Sequence, residues 1–216
     1  MSAQTAGTGT SPRMVSLGFT ADPWPVGTHT CLIFNDDEER RWTMARFVQS
    51  GLDANETVGY FVDTMTPEEL KQSLRELGVV LPDELDGRQY SVLDAESVYC
   101  PDGTFKVDRM LENVAELHRR SIREGYVGAR GTGEMSWATK GHPGSGNLIE
   151  YEARINILVR TTPTTAVCQY DARLFDGATL YQVLCVHPMM IAHGQVLRNP
   201  YYIEPEVFLA NLAAGP

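Results

Sequence analysis

Strand-like and helix-like segments alternate along this chain from His29 onward, and no other feature of the sequence constrains the fold as strongly. Short strands are predicted at 29–34, 57–62, 88–94, from 126, and at 164–171. Helices are predicted between them, at 36–51, 66–78, 106–124, 148–160 and 178–187. Such alternation is typical of an α/β fold with a mainly parallel central sheet and helices on both faces.

The length of 216 residues suits one α/β domain with small additions. The small, polar stretch at the start predicts a disordered segment over residues 1–25. We therefore place the folded domain at 26–203 and a C-terminal helix or tail at 204–216. Short closing strands or an extended tail are expected near 189–202.

Charge and hydropathy exclude several kinds of partner. The net charge is −10, and a nucleic-acid binder needs a basic face. The one basic cluster, Arg119, Arg120 and Arg123, alternates with acids at helical spacing, which is typical of a solvated helix face. No run approaches 18 apolar residues and the N-terminus has no apolar signal region, so we expect a cytoplasmic protein that binds neither membrane nor nucleic acid directly.

The turn after the first strand is acidic where a nucleotide-binding domain would carry a phosphate loop. Asn35 is followed by Asp36, Asp37, Glu38 and Glu39. A phosphate loop needs glycines, a Lys and a Ser or Thr, and no GxxxxGK[ST] occurs in the chain. Four acids at a helix start repel a triphosphate, so ATP hydrolysis is not expected at this position.

Several phrases of the sequence carry a family resemblance. The run 29–70, HTCLIFNDDEERRWTMARFVQSGLDANETVGYFVDTMTPEEL, resembles the opening of the KaiC and RecA type of ATPase. The run from 29 to about 202 is similar to the MEDS family, the sensory domain named for methanogens, methylotrophs and the dichloromethane-responsive regulator. The matching phrases are His29-x-Cys31, FVQSGL, VYCPDGTF, GEMSW, IEYEARIN, CQYD, HP and NPYY.

The resemblance implies a three-layer, RecA/KaiC-like fold with a degenerate nucleotide site, used as a small-molecule sensor in signal transduction and transcription regulation. It also implies that the ligands are hydrocarbon derivatives. In many relatives the domain is joined to a kinase-like, phosphatase-like or DNA-binding output module. No such module fits after residue 202, so we expect this chain to signal to a protein partner, a regulator or a kinase-type output, and a homodimer is possible.

Ligands of open parallel sheets bind outside the carboxyl ends of the strands. This rule, together with the matching phrases, selects the predicted ligand-binding residues His29, Cys31, Asn35, Glu134, Trp137, Glu152, Gln169, Tyr170, Asp171 and Tyr201. Several of them have a structural alternative. Trp137 suits a core and Glu134 a turn cap, Asp171 suits the cap of the following turn, and Tyr201 suits packing on a sheet edge or a dimer contact.

Two segments are ambiguous in orientation. In the helix 148–160, Glu150 and Arg154 form a favourable surface pair, and Glu152 with Asn156 forms a second polar stripe. One of these acids is expected to point inward at Tyr170 or Arg130, without a basis for choosing which. In CQYD, Cys168 and Tyr170 face one side of the strand, whereas Gln169 and Asp171 face the other.

His29 and Cys31 also lie on one face of a strand, and with Cys168, His187 or His193 they would suit a transition metal or haem. The preferred interpretation is a partnered polar histidine and a cysteine that fills the core. No metal site is therefore predicted, and the cofactor is unknown.

The favoured function is a sensor without catalytic activity that binds a small organic ligand or cofactor at the carboxyl edge of the sheet. One alternative is an enzyme that uses buried carboxylates of the same pocket as acid and base. Another is an interaction protein without a ligand. Two carboxylates close together in one closed pocket would favour the enzyme.

Overall fold

A seven-stranded sheet forms the centre of the computed structural model, which describes residues 12–82 and 88–214. Two short strands, β1 (Met14–Val15) and β2 (Trp24–Pro25), lie outside this sheet. Its strands are β3 (His29–Phe34), β4 (Thr57–Val62), β5 (Tyr90–Asp94), β6 (Ala129–Glu134), β7 (Thr164–Asp171), β8 (Met189–Ala192) and β9 (Gln195–Arg198). They lie in the order β5, β4, β6, β7, β3, β8, β9, and within this sheet only β8 and β9 pair antiparallel. The predicted mainly parallel sheet is confirmed. The predicted closing segment near 189–202 contains the antiparallel hairpin of β8 and β9.

Helices cover both faces, as the alternating pattern predicted. They are α1 (Asp37–Asp53), α2 (Pro67–Glu76), α3 (Ala95–Tyr99), α4 (Val107–Arg123), α5 (Leu148–Leu158), α6 (Gly177–Val186) and α7 (Pro205–Ala214). Helices α1 and α2 pack on one face. Helices α3 to α6 pack on the other, and α7 packs outside α5 and α6. This arrangement encloses side chains between the sheet and α4 and α5.

Local signals set the ends of the helices. Asp36 caps α1, because its carboxylate accepts hydrogen bonds from the backbone N–H groups of Glu38 and Glu39. Thr66 and Glu69 form a reciprocal capping box at the start of α2, with Pro67 as its first residue. The stretch GEMSW leaves β6 as a 3-10 helix over Met135–Lys140, which accounts for its irregular pattern.

The N-terminal segment differs from the expected disordered lead-in. Strands β1 (Met14–Val15) and β2 (Trp24–Pro25) pair antiparallel, and Leu17 is fully buried in the core under α1. Apolar burial of Leu17 and the ion pair from Arg13 to buried Glu56 hold this segment against the domain. The part of the prediction that covers residues 1–11 lies outside the described residues. At the other end, the predicted terminal helix is observed as α7.

Candidate functional site

Four buried side chains with metal-ligating atoms meet beneath α5. His29 begins β3, Cys168 lies in the middle of β7, Glu152 projects from α5 and His187 follows α6. One ligating atom from each lies within 4.8 Å of all the others. We call these four residues the His–Glu–Cys cluster, and all are 6% exposed or less.

Glu152 is the centre of this cluster. Its Oε2 atom lies 3.1 Å from His29 Nε2 and 3.4 Å from Cys168 Sγ. Its Oε1 atom accepts a hydrogen bond of 2.5 Å from the hydroxyl of Tyr170. The inward acid that the sequence left unassigned is therefore Glu152, and of the two partners left open, Tyr170 and Arg130, it contacts Tyr170. Glu150 instead pairs with Arg154 at 3.1 Å, as expected.

The electrostatics of the cluster follow from burial and from close contacts. Burial raises the pKa of Glu152, but the two histidines reverse this and hold the pKa of that carboxyl below its usual value. Burial lowers the pKa of His29, and a positive charge on His187 would lower it further. Burial and the Glu152 carboxylate raise the pKa of the Cys168 thiol well above its ordinary value. In the metal-free chain these shifts favour the ionised form of the Glu152 carboxyl and the protonated form of the Cys168 thiol.

An apolar cavity of about 40 Å³ adjoins the cluster. It lies between β6 and β7 on one side and α4 and α5 on the other. Gly131 and Gly133 leave its floor free of side chains, and Ile155 of α5 forms part of its roof. His29 and Cys168 line it as well. Its volume exceeds the roughly 10–15 Å³ that one water needs and is smaller than the about 150 Å³ cavity that holds benzene.

The carboxyl edge of the sheet, where ligand binding was predicted, is occupied by a network of the chain's own side chains. Arg40 of α1, only 4% exposed, donates to Glu134 Oε1 at 2.6 Å. Glu134 Oε2 accepts hydrogen bonds from the backbone N–H groups of Asp63 and Thr64. Gln169 accepts a long hydrogen bond of 3.4 Å from Arg40. The acceptor atoms of Glu134 are therefore already bonded within the protein.

The other predicted ligand residues lie at several places. Cys31 is fully buried with its thiol directed to the carbonyl of Met189, and Trp137 lies in an aromatic group with Tyr99 and Phe105. Asp171 bonds Arg173, as the turn-cap alternative proposed. Asn35 and Tyr201 are exposed. The structure thus brings His29, Glu152 and Tyr170 together and places Glu134 and Gln169 in a separate network.

Sequence reasoning did not select Arg40, Asn156, Cys168 or His187 as ligand residues, although it weighed Cys168 and His187 as members of an alternative metal site. A buried Glu134 carboxylate requires a cation, but the sequence does not indicate that Arg40, 94 residues away, supplies it. Asn156 was placed in a stripe with Glu152, one helical turn away, which was a signal for their shared environment. The sequence did not predict that His187 meets His29, because His187 follows helix α6 and His29 begins a distant strand.

Within the described ranges, no helix has both the length and the apolar character needed to cross a bilayer.

No curated protein matches the chain. Solved structures with a similar fold include a KaiC-like protein from Pyrococcus horikoshii OT3, with a TM-score of 0.58, 14% identity, and coverage of 83% of this chain and 80% of that one. The flagellar accessory protein FlaH from Methanocaldococcus jannaschii has a TM-score of 0.62, 12% identity and coverage of 90% of each chain.

These likenesses confirm the RecA/KaiC-like fold expected from the sequence. The sequence profile of the methanogen/methylotroph, DcmR sensory domain, abbreviated MEDS, matches residues 28–188. The matched range runs from the strand that carries His29 to the residue after His187, and so includes the whole His–Glu–Cys cluster. Since the match extends over most of the chain, this protein belongs to the MEDS family of sensory domains.

Proposed function

We propose that this MEDS domain senses a small, largely apolar organic molecule, which binds in the cavity between β6 and helices α4 and α5. The observation that carries the proposal is the pair Gly131 and Gly133, which removes side chains from the sheet beneath two packed helices. A cavity with apolar walls and few polar groups is typical of a small-ligand site. Its size favours a ligand of a few heavy atoms, consistent with a hydrocarbon derivative.

This location differs from the carboxyl edge favoured on sequence grounds. The geometry supports the cavity because Arg40 and two backbone N–H groups occupy the oxygens of Glu134 at the edge. Of the predicted ligand residues, His29 lines the cavity, and Glu152 and Tyr170 form its polar neighbourhood. We infer that these residues tune ligand affinity from one end of the cavity.

Two glycine substitutions test this site. Gly131→Ala places a methyl group in the cavity, because the nearest other heavy atom to a Cβ there is 4.0 Å away. With dichloromethane as the probe, we expect saturation-transfer NMR to detect binding to the wild-type chain and at least a tenfold weaker signal for Gly131→Ala.

Gly59→Ala is the matched control. Gly59 is the register partner of Gly131 on β4, does not line the cavity, and a Cβ there makes only ordinary contacts at 3.6 Å or more. Dichloromethane binding should persist in this variant. Equal binding by wild type and Gly131→Ala, or no binding by the wild type, would contradict the proposed site.

The proposed output passes through α5, which roofs the cavity and packs against α7. Val207 and Leu212 of α7 are about half exposed, at 54% and 46%, and provide an apolar surface for a protein partner or a second copy. We expect dichloromethane to change the amide hydrogen exchange of α7 but not of α2, on the opposite face of the sheet. Unchanged exchange in α7 at saturating probe would reject this route.

The proposed sensor has no working ATP site at the start of α1. Asp36 already accepts from the N–H groups that a phosphate would use, and three further acids follow it. We expect no magnesium-dependent release of inorganic phosphate from ATP in a colorimetric assay. Turnover that is abolished by Asp36→Ala would overturn this expectation.

A further inference from the structure

The His–Glu–Cys cluster contains more lone pairs than it has N–H, O–H or S–H groups to donate hydrogen bonds to them. His187 Nδ1 lies 2.8 Å from the carbonyl oxygen of Val183, which only accepts, so Nδ1 carries the proton of the neutral ring. The Nε2 lone pair then points toward Glu152 Oε2, 3.5 Å away. Nε2 is fully buried and has no hydrogen-bond partner in the described part of the chain.

The hydrogen-bond partners of His29 also fix its tautomer. The side-chain amide of Asn156 donates through Nδ2 to the carbonyl of Val186 at 2.7 Å, which directs its Oδ1 toward His29 Nδ1 at 3.1 Å. His29 Nδ1 is therefore a donor, and its Nε2 lone pair also faces Glu152 Oε2. Two imidazole lone pairs and a carboxylate oxygen converge on one buried point, where a proton on one ring would satisfy only one nitrogen.

We propose that His29, Glu152, Cys168 and His187 bind a divalent transition-metal ion of the zinc class through two imidazole nitrogens, one carboxylate oxygen and one thiolate. This inference depends on the four side chains alone and not on the ligand proposed for the cavity. Imidazole and thiolate together select borderline-soft ions over magnesium or calcium.

Four of the six separations between the ligand atoms are close to those of tetrahedral coordination, and all six are within 4.8 Å. Zinc bonds of about 2.0–2.3 Å place neighbouring ligand atoms roughly 3.3–3.6 Å apart. Cys168 Sγ lies 3.4 Å from His29 Nε2 and 3.4 Å from Glu152 Oε2. The His29–Glu152 and His187–Glu152 separations are 3.1 and 3.5 Å. Side-chain adjustments within this span of 4.8 Å would place an ion at the centre.

The surroundings orient the proposed ligands. Val183 fixes the ring of His187, Asn156 fixes that of His29, and Tyr170 holds the second oxygen of Glu152. Hydrogen bonds of this kind to the far side of each ligand set its tautomer and orientation in metal sites. Because the sheet, α5 and α6 supply the ligands together, a bound ion would also link these elements.

Cobalt(II) loading of the full chain after removal of metal by a chelator tests the site. We expect about one cobalt per chain, with the intense visible bands of tetrahedral cobalt and a thiolate-to-cobalt charge-transfer band. Cys168→Ser should lose the charge-transfer band. Cys31→Ser is the matched control, because Cys31 is the register partner of Cys168 and its buried thiol points to Met189 instead. It should keep the band.

X-ray absorption of the zinc-loaded wild-type chain decides the proposal even if a variant fails to fold. One sulfur and three nitrogen or oxygen ligands, with the scattering pattern of two imidazoles, would support it. Weak six-coordinate cobalt spectra, less than stoichiometric binding, or a charge-transfer band that survives in folded Cys168→Ser would overturn it.

Tyr170→Phe provides a milder test of the same site. It removes the hydrogen bond to Glu152 Oε1 and keeps the ring, so the fold should tolerate it. We expect cobalt affinity to fall about 10–100-fold, because loss of a group that orients a ligand costs that much. Unchanged affinity in a competition titration would show that Tyr170 does not position Glu152 for an ion.

Discussion

Glu56→Ala is expected to destabilise the domain by about 3–5 kcal/mol, because it leaves Arg130 buried without its anion. Both side chains are fully buried, and Arg130 Nε donates to Glu56 Oε2 at 2.6 Å. Arg130 also donates to the carbonyl of Phe47 and stacks over that ring. Burial lowers the pKa of Arg130 even though the Glu56 carboxylate acts to raise it. The pair joins the connection between α1 and β4 to β6 and so supports the central sheet.

Urea denaturation followed by circular dichroism measures this loss. Glu150→Ala is the control, because Glu150 forms a partly exposed pair with Arg154 that should contribute about 1 kcal/mol or less. Replacing both partners, as Glu56→Leu with Arg130→Met, should recover much of the stability. A loss below about 1 kcal/mol for Glu56→Ala would show that water reaches Arg130.

Trp137→Ala is expected to cost about 3–5 kcal/mol through the cavity that it leaves. The indole is fully buried, stacks on Tyr99 at a centroid distance of 4.7 Å, and contacts the ring of Phe105 at the same distance. These rings close the space between β6 and α3, so their loss loosens the wall of the cavity region.

The matched control for this variant is Trp42→Ala. Trp42 is 42% exposed on α1, and its removal should cost about 1 kcal/mol or less. The measurement is the unfolding free energy from urea denaturation of both variants. If Trp137→Ala were no more destabilised than Trp42→Ala, the aromatic group would not be part of the core, and the sequence-based role of Trp137 as a ligand wall would regain support.

Much of the fold was predictable because its signals are local. Thr66, Pro67 and Glu69 specify the start of α2 within four residues, and Asp36 specifies that of α1. The two-residue period of CQYD correctly separated Cys168 and Tyr170 from Gln169 and Asp171. The order of the strands was not predictable from such patterns, because it depends on which crossover helix packs on which face.

The site was predicted less completely, because its residues meet only through tertiary packing. His29 and Glu152 were selected, yet His187, 158 positions after His29, reaches them only after α6 crosses the sheet. Burial of Arg40 likewise depends on Glu134, which lies 94 residues away. Sequence spacing contains no information on such separations. The small cavity was harder still to predict from the sequence, because it arises from the absence of side chains at Gly131 and Gly133.

The location of a small organic probe in the folded protein is the most direct test of the proposed ligand site in the cavity. A crystal of the full chain soaked in dibromomethane would reveal the bromine atoms by anomalous scattering. We expect a bromine peak in the cavity, between Gly131, Ile155 and Cys168. Peaks confined to the carboxyl edge beside Arg40 and Glu134, or no ordered bromine in the cavity at saturation, would contradict the proposal that this MEDS domain senses its ligand there.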